Sequence, residues 1–353
     1  MKKLRIGMVG AGNIAKTHLD AYKKVENAEI VAICDINPET LAETAKIYGI
    51  EKTYATEAEM LANEELDACD VAVWNCSHAE CSIMALNAGK HVLCEKPMAT
   101  NAKEAQEMID AAEKNNKLLM IGFVLRFGDE ARIAKDFIDH DYLGDIYYSK
   151  ATYLRRHGAP GGWFTDKKRS AGGPVIDLGV HVIDLTRYLM GKPKAVSVFA
   201  STENKLKNRP NLKTTVGWSP KGASPSDPYD VEDFAVALIK YDGGQTTLLE
   251  ASYSINGEDA NKKELYGTKG GMNLNGTDSK IYTEVNDFLA DIIPDTKNYI
   301  DSKDMFAAEM GHFVDCALNG TECIAPAKDG LEVMKILDAI YESAKTGHEV
   351  CIK

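Results

Sequence analysis

The chain has 353 residues, with 41 lysines and arginines against 53 acids and a formal net charge of −12. Because domains usually run to roughly 100–200 residues, this length predicts two of them. The acidic balance disfavours nucleic-acid and anionic-membrane partners, and no stretch approaches the roughly 18 apolar residues of a membrane span.

The first 123 residues alternate short apolar runs with helical patterns. This alternation predicts βαβ units and a parallel sheet, and right-handed crossovers make such a sheet doubly wound. The predicted strands are Leu4–Val9, Glu29–Cys34, Val71–Asn75, His91–Cys94 and Leu118–Phe123. The predicted helices are Asn13–Lys24, Pro38–Tyr48, Ala79–Ala88 and Asn101–Asn115.

From about residue 124 the pattern changes to longer alternating runs, which predict a mostly antiparallel sheet. We therefore expect one domain at residues 1–123 and an α+β domain at 124–353, with a terminal helix that packs back on the first. The stretch Glu203–Asp230 is rich in Pro, Asn, Lys and Ser and is predicted to be a long loop. The predicted strands are Ile146–Arg155, Ala195–Thr202, Asp233–Tyr241, Thr246–Ser254 and Lys263–Gly267. The predicted helices are near Asp129–Asp139, Val175–Met190, Asp304–Asn319 and Asp329–Thr346.

A glycine-rich turn follows the first strand and opens the first helix. Gly10–Ala15 matches the G-x-G-x-x-G/A dinucleotide fingerprint, which lets the backbone approach a pyrophosphate at a helix N-terminus. Asp35 ends the second strand, where a carboxylate accepts ribose hydroxyls and repels a 2′-phosphate. The pattern predicts NAD rather than NADP; the alternative is a tight turn that binds another ligand or none.

Cys94–Glu95–Lys96–Pro97 follows the fourth strand, and ligands of open parallel sheets bind beyond the carboxyl ends of the strands. Lys96 is therefore placed to bond a substrate oxygen and stabilise developing negative charge. From its position alone, a surface lysine in a loop is the commoner outcome. Pro97 indicates a rigid turn and allows a cis peptide bond.

Asp177 and His181 lie four residues apart, so they share one face of a helix. His181 suits a general base, because its unperturbed pKa lies near working pH. Gly172–Gly173–Pro174 predicts a helix entry whose backbone is open to a ligand. The alternatives are a helix-terminal acid with a core histidine, or a metal site with Asp184. No third and fourth ligand has suitable spacing, so we expect no metal.

The eight cysteines form no CxxC pair. We expect buried free thiols rather than a disulfide framework or a zinc site. The N-terminus lacks the cleavage site of a signal peptide, so the sequence predicts a cytoplasmic protein.

Taken together, these residues resemble the Gfo/Idh/MocA oxidoreductases, the family of glucose–fructose oxidoreductase and inositol dehydrogenase. The resemblance implies a Rossmann domain followed by a domain with a large open sheet that forms homodimer or homotetramer contacts. It also implies NAD-dependent hydride transfer involving a secondary hydroxyl of a sugar or cyclitol. It rests on Gly10–Ala15, Ala88–Pro97, Gly122–Phe123, Arg126–Phe127, Trp163–Phe164, Gly172–His181 and Asp329–Leu331.

The resemblance also implies roles for individual residues. The catalytic set is Lys96, Asp177 and His181. Asp70, Trp74 and Cys76 depart from the family pattern beside the nicotinamide contacts. The cofactor-binding set is Gly10, Gly12, Asn13, Ile14, Asp35, Asn75, His78, Glu95 and Lys96. The donor-rich and aromatic candidates for the polyol pocket are Arg126, Arg155, Arg156, His157, Trp163 and Tyr253, beside Asp177 and His181.

Three other functions remain open on the same scaffold. The first is an NAD-dependent glycoside hydrolase that acts through transient oxidation at C3. The second is a non-catalytic NAD-binding regulator, which the intact set of Lys96, Asp177 and His181 disfavours. The third is a reductase of cyclic imines or tetrapyrroles.

Overall fold

The chain folds into two units in a computed structural model, which describes residues 2–207, 209, 212–213, 219–224, 226–294 and 305–352. The first unit takes the described parts of 1–127 and 303–331, and the second those of 128–302 and 332–353. A segment near the C-terminus therefore belongs to the first unit. The division after residue 123 stays a prediction.

The first unit is built on a six-stranded sheet in the order β3-β2-β1-β4-β5-β6, with every pair parallel. The predicted doubly wound sheet is confirmed, and its strand order reverses beside β1, where such sheets bind ligands. Its strands are β1 Leu4–Val9, β2 Ala28–Cys34, β3 Thr53–Tyr54, β4 Ala68–Val71, β5 His91–Glu95 and β6 Leu119–Gly122. Its first helices are α1 Asn13–Tyr22, α2 Pro38–Tyr48, α3 Glu57–Asn63, α4 His78–Asn87 and α5 Ala102–Lys114.

Local chemistry explains the clearest helix boundaries. Asn37 accepts the backbone N–H groups of Glu39 and Thr40 at the start of α2, and Gly49 ends that helix in the left-handed region. Asn101 caps α5 in the same way, through the N–H of Glu104. These polar caps and the terminal glycine are visible in the sequence, which is why the boundaries of α2 and α5 are predictable.

The third predicted strand is wrong in position. The strand is Ala68–Val71 rather than Val71–Asn75, and Asn75 instead opens a short 3₁₀ turn. A fully buried acid, Asp70, interrupts the apolar pattern of this strand, so a search for apolar runs places the strand too late. The sequence analysis also missed β3 and α3 in the connection that precedes it.

The second unit contains a nine-stranded sheet in the order β14-β13-β12-β11-β7-β10-β9-β8-β15. Only the pairing of β7 with β10 is parallel among the described strands, which confirms a mostly antiparallel sheet. The strands are β7 Ile146–Leu154, β8 Ala195–Glu203, β9 Phe234–Tyr241, β10 Thr246–Ser252, β11 Ala260–Gly267, β12 Gly271–Leu274, β13 Lys280–Val285, β14 Phe288–Ile292 and β15 Val350–Cys351. The remaining helices of the chain are α6 Asp129–Asp139, α7 Lys167–Ser170, α8 Val180–Leu189, α9 Met305–Asn319 and α10 Ala327–Thr346.

Several expectations for the later part of the chain need adjustment. The helix predicted at Val175–Met190 is a π-helical turn, Val175–Gly179, followed by α8. Strands β12 to β15 were not predicted, and α9 packs against α1 of the first unit. Part of the predicted loop Glu203–Asp230 and the start of the helix predicted near Asp304 lie outside the described residues. Within the described chain, no helix is both long and apolar enough to span a membrane.

Candidate active site

The two leading glycines of the fingerprint serve different physical needs. Gly10 has a φ of +102°, and a Cβ there would stand 2.3 Å from the carbonyl oxygen of Ala72. Gly12 immediately precedes α1, and a Cβ there would meet nothing within 4 Å. Packing and backbone conformation therefore require glycine at position 10, whereas position 12 faces open space that a ligand can occupy.

This open space fits a dinucleotide pyrophosphate. Asn13 and Ile14 form the first turn of α1, which carries no acidic side chain and whose N-cap makes no side-chain hydrogen bond. The first N–H groups of a helix and the positive end of its dipole favour an anion at this place. Asp35 follows β2 and accepts the N–H of Ala11 (Oδ2, 2.8 Å) and that of Asn37 (Oδ1, 2.7 Å). The backbone thus fixes the carboxylate that is predicted to bind the ribose.

Lys96 stands directly after β5, next to a fixed turn. The Lys96–Pro97 peptide bond is cis, as the sequence allowed. The carboxylate of Glu95 accepts the backbone N–H of Lys96 (Oε2, 3.0 Å). On the other side of the turn, the imidazole Nδ1 of His78 lies 2.7 Å from the carbonyl oxygen of Pro97.

His78 is buried, and its Nε2 lies 3.2 Å from the carbonyl oxygen of Val73. Burial lowers the pKa of His78 despite these carbonyls, which favours the neutral ring, and the shorter contact favours Nδ1 as the donor to Pro97. The structure therefore gives His78 a supporting role at the turn, while its contact with a cofactor stays a prediction. Asn75, the neighbouring candidate, is also buried, at the start of its 3₁₀ turn.

A buried charge network lies behind Glu95. His18 of α1 donates through Nδ1 to both oxygens of Asp70 and through Nε2 to Oε1 of Glu95, all at 3.0 Å. The hydroxyl of Tyr22 donates to Oδ2 of Asp70 (3.0 Å). His18 and Asp70 are completely shielded from solvent. We call the set of His18, Tyr22, Asp70 and Glu95 the His18 network.

The two carboxylates decide the charge of this network. Burial alone would lower the pKa of His18, but Asp70 and Glu95 outweigh it and raise that pKa well above its usual value. Burial, with Asp70 beside it, raises the pKa of Tyr22, which therefore stays protonated as a donor. A protonated histidine thus bridges α1, the strand β4 and the residue that precedes Lys96. The sequence analysis noted Asp70 as a departure but missed His18 and Tyr22.

In the second unit, Asp177 lies on the π-helical turn and His181 on the first turn of α8. Both side chains are half-buried. The hydroxyl of Tyr253 donates to Oδ2 of Asp177 (3.1 Å), and Tyr253 itself is fully buried against Ala159 and Leu178. Burial, and secondarily Asp177, raises the pKa of Tyr253, so its phenol remains the donor that holds the carboxylate.

The entry to this turn is closed rather than open. Oε1 of Glu232 accepts the N–H groups of Gly173 (3.0 Å) and Val175 (3.1 Å), together with the hydroxyl of Tyr341 (2.8 Å). A Cβ on Gly172 would stand 2.0 Å from the Tyr341 hydroxyl, and one on Gly173 would stand 2.3 Å from the Glu232 carbonyl oxygen. The prediction of a backbone open to a ligand is therefore wrong. The paired glycines leave room for the buried carboxylate of Glu232, which already binds the N–H groups at this helix entry.

The predicted substrate residues have very different surroundings. Arg126 is buried in the first unit, where its Nη1 donates to Asp329 (2.8 Å) and to the carbonyl oxygen of Ile324. Arg156 is exposed, whereas His157 is half-buried and forms a β-bridge with Ser254. Trp163 lies in a 3₁₀ turn, against the ring of Phe164.

Arg155, a further pocket candidate, donates to the carbonyl oxygen of Gly158 (3.1 Å). Burial opposes its charge, but Tyr153 and then Asp177 raise its pKa above the ordinary value. Sequence reasoning missed Glu232 and Tyr341, because neither belongs to a recognisable motif. The sequence shows only a glutamate shortly before the run that forms β9, and its burial becomes visible in the folded chain.

The comparisons with known proteins cover nearly the whole chain. Residues 4–123 match the family model described as "Oxidoreductase family, NAD-binding Rossmann fold", and residues 131–273 match "GFO/IDH/MocA C-terminal domain". The chain is 32% identical to the D-glucoside 3-dehydrogenase of Escherichia coli (strain K12), over 98% of this chain and 97% of that protein.

Two further relatives agree with this match. Over 78% of this chain and 74% of that protein, the chain is 31% identical to the levoglucosan dehydrogenase of Pseudarthrobacter phenanthrenivorans. A solved structure of a levoglucosan dehydrogenase in complex with NADH superposes with a TM-score of 0.86 and 25% identity, over 100% of both chains. The fold of this chain therefore occurs in a known NADH-binding dehydrogenase.

Proposed function

Because the chain belongs to the Gfo/Idh/MocA oxidoreductase family and is an NAD-dependent sugar oxidoreductase, we propose that it oxidises the C3 hydroxyl of glucose-type pyranosides. The observation that carries this proposal is the match to D-glucoside 3-dehydrogenase along nearly the full length of both chains. A glucose-6-phosphate 3-dehydrogenase, 35% identical over 61% of this chain, supports the same ring position.

NAD supplies the hydride acceptor of the reaction, at C4 of its nicotinamide ring. In our proposal Gly10, Gly12, Asn13 and Ile14 hold the pyrophosphate, and Asp35 binds the ribose. Asn75, His78, Glu95 and Lys96 line the nicotinamide side. The open space at Gly12 and the fixed Asp35 carboxylate support these assignments.

The contrast between the two glycines predicts opposite phenotypes. Gly12→Ala should leave the thermal midpoint close to that of the wild type and weaken NADH binding, because its methyl group enters only the ligand's space. Gly10→Ala should lower the thermal midpoint, because its Cβ meets the Ala72 carbonyl in a left-handed backbone. Thermal unfolding without ligand and NADH titration separate the two effects. Unchanged NADH affinity in Gly12→Ala would contradict the proposal that this turn binds the pyrophosphate.

We propose catalytic roles for three side chains. His181 accepts the proton of the substrate hydroxyl, and the ammonium of Lys96 donates a hydrogen bond to the same oxygen. Asp177 orients the reacting hydroxyl or His181, while Tyr253 holds its carboxylate. Positioning by such groups can supply about 7–11 kcal/mol of a reaction barrier.

The polyol pocket is proposed to use Arg156, His157 and Trp163, which offer donors and an aromatic face. Arg126 was predicted to join them, but its buried ion pair with Asp329 supports a structural contribution instead. We propose that residues 1–123 bind NAD and 124–353 bind substrate. The family matches at residues 4–123 and 131–273 support that division.

The C3 assignment can be tested with methyl β-D-glucopyranoside deuterated at C3. We expect the enzyme to reduce NAD and to transfer the deuterium to the nicotinamide, as detected by mass spectrometry of the cofactor. The matched control is the same glucoside deuterated at C2 or C4, which should give unlabelled NADH. Label transfer from C2 or C4 would contradict the C3 proposal, although the chain would remain a sugar dehydrogenase.

The same assay separates the other activities. Release of methanol without net NADH would identify the NAD-dependent glycosidase reaction. NADP strongly preferred over NAD would contradict the role of Asp35.

We further propose a cytoplasmic homodimer or homotetramer assembled through the nine-stranded sheet. Phe199 of β8 and Leu238 of β9 are paired in register and both are exposed, so they form an apolar row on this sheet. All eight cysteines lie among the described residues and none of them forms a disulfide there, which fits a reducing compartment.

A further inference from the structure

Three ligand-type side chains meet at the C-terminal end of α9, within the first unit. The ring of His312 and the thiols of Cys316 and Cys323 place one nitrogen and two sulfurs within 4.8 Å of one another. His312 and Cys316 are one helical turn apart, so they share a face. Sγ of Cys316 lies 3.3 Å from Nε2 of His312. None of the roles proposed above uses these residues.

Backbone contacts bring the third ligand to this pair. Gly320 ends α9 with a φ of +72°, and its N–H donates to the carbonyl oxygen of Cys316 (3.1 Å). The chain then turns back, and the segment after Cys323 runs beside β6, where Ile121 donates its N–H to Ala325 (3.0 Å). These backbone contacts hold the three side chains close together before any ligand binds. Binding therefore costs little conformational entropy.

We propose that His312, Cys316 and Cys323 form a binding site for a thiophilic divalent cation, with Zn²⁺ as the best fit. Tetrahedral zinc with a Zn–S bond near 2.3 Å and a Zn–N bond near 2.05 Å places sulfur and nitrogen about 3.5 Å apart. The observed separation of 3.3 Å is close to that value. Two thiolates balance the charge of the ion, and their two protons are released on binding. His312 and Cys323 are half-buried, so water can complete the fourth position.

The surroundings of His312 also suit a ligand. Its ring packs against Phe127, with centroids 5.4 Å apart, and this contact fixes the plane of the imidazole. The N–H of Ile324 donates to Nε2 of His312 (3.1 Å). When Nε2 of His312 binds the ion, its hydrogen bond with the N–H of Ile324 must break. The neighbouring thiolates then offer this N–H a charged acceptor. The carbonyl of Ile324 meanwhile accepts from Arg126, so the site fastens the returning segment to Arg126 and Phe127.

Cobalt and zinc titrations of the untagged, full-length, reduced protein test this site. After treatment with a chelator and desalting, Co²⁺ should produce thiolate charge-transfer absorption and the visible bands of tetrahedral cobalt. Zn²⁺ should abolish both signals at one ion per chain. Saturating Zn²⁺ should also raise the thermal midpoint, because it binds the folded state selectively.

Matched cysteine variants make the test specific. Cys316→Ser and Cys323→Ser should each bind Zn²⁺ at least about a hundredfold more weakly, because each removes a direct ligand. Cys351→Ser changes an exposed thiol in β15 that does not belong to the cluster, so this variant should bind Zn²⁺ like the wild type. Far-UV circular dichroism identifies any variant that fails to fold. Absence of the cobalt spectrum in the wild type, or equal loss of binding in Cys351→Ser, would overturn the proposal.

Discussion

Replacing Lys96 by alanine is expected to lower kcat by about 10²–10³-fold, the usual cost of removing one donor to a developing oxyanion. NADH affinity should stay near the wild-type value, because the pyrophosphate and ribose contacts belong to other residues. The fold should also survive, since the neighbouring turn is held through the backbone N–H of Lys96 and the carbonyl of Pro97. Steady-state kinetics with methyl β-D-glucopyranoside, together with NADH titration, measures the two effects separately.

Lys103→Ala is the matched control, because this lysine on α5 is largely exposed and pairs only at a distance of 3.6 Å with Glu107. It should leave kcat unchanged, since exposed ion pairs contribute little. Lys96→Arg keeps the charge but places a planar, larger head at the same position, so it should recover only part of the activity. Near-normal turnover in Lys96→Ala would contradict the catalytic assignment.

The sequence was most informative where local chemistry determines structure. The fingerprint at Gly10–Ala15, the alternation of strands and helices in the first 123 residues and the alternating strands of the second half each follow short-range rules. They therefore predicted the parallel sheet, the mostly antiparallel sheet and several helix boundaries. The cis bond before Pro97 was likewise anticipated as an option, because proline makes it accessible.

Contacts between residues distant in sequence were beyond such rules. The double glycine at 172–173 was interpreted as an opening, yet it accommodates Glu232 and Tyr341, which lie 59 and 109 positions from their partners. Similarly, the spacing of His312, Cys316 and Cys323 matches no familiar metal motif, since Cys323 reaches the helix through a turn. Only the folded chain shows which buried polar groups satisfy one another.

The largest expected loss of stability comes from the His18 network. Asp70→Leu should lower the free energy of unfolding by about 3–5 kcal/mol, because it removes one partner of a buried ion pair and leaves His18 without its main counter-charge. It also removes the acceptor of the Tyr22 hydroxyl. Urea unfolding at neutral pH measures the loss. Asp20→Leu is the control, because Asp20 is an exposed acid on the same helix as His18 and its pair with Lys23 should contribute less than about 1 kcal/mol.

The pH dependence of this loss distinguishes the charge of His18 from simple packing. A histidine whose pKa is raised in the folded state contributes its full stabilisation below the pKa of the unfolded chain, and loses it as the pH rises through the folded pKa. The difference between wild type and Asp70→Leu should therefore be largest near and below neutrality and shrink towards alkaline pH. A difference that does not vary with pH would mean that Asp70 acts through shape alone. A protonated His18 explains how an acid can occupy the centre of β4, because its charge is balanced by a partner that also holds Glu95 beside Lys96.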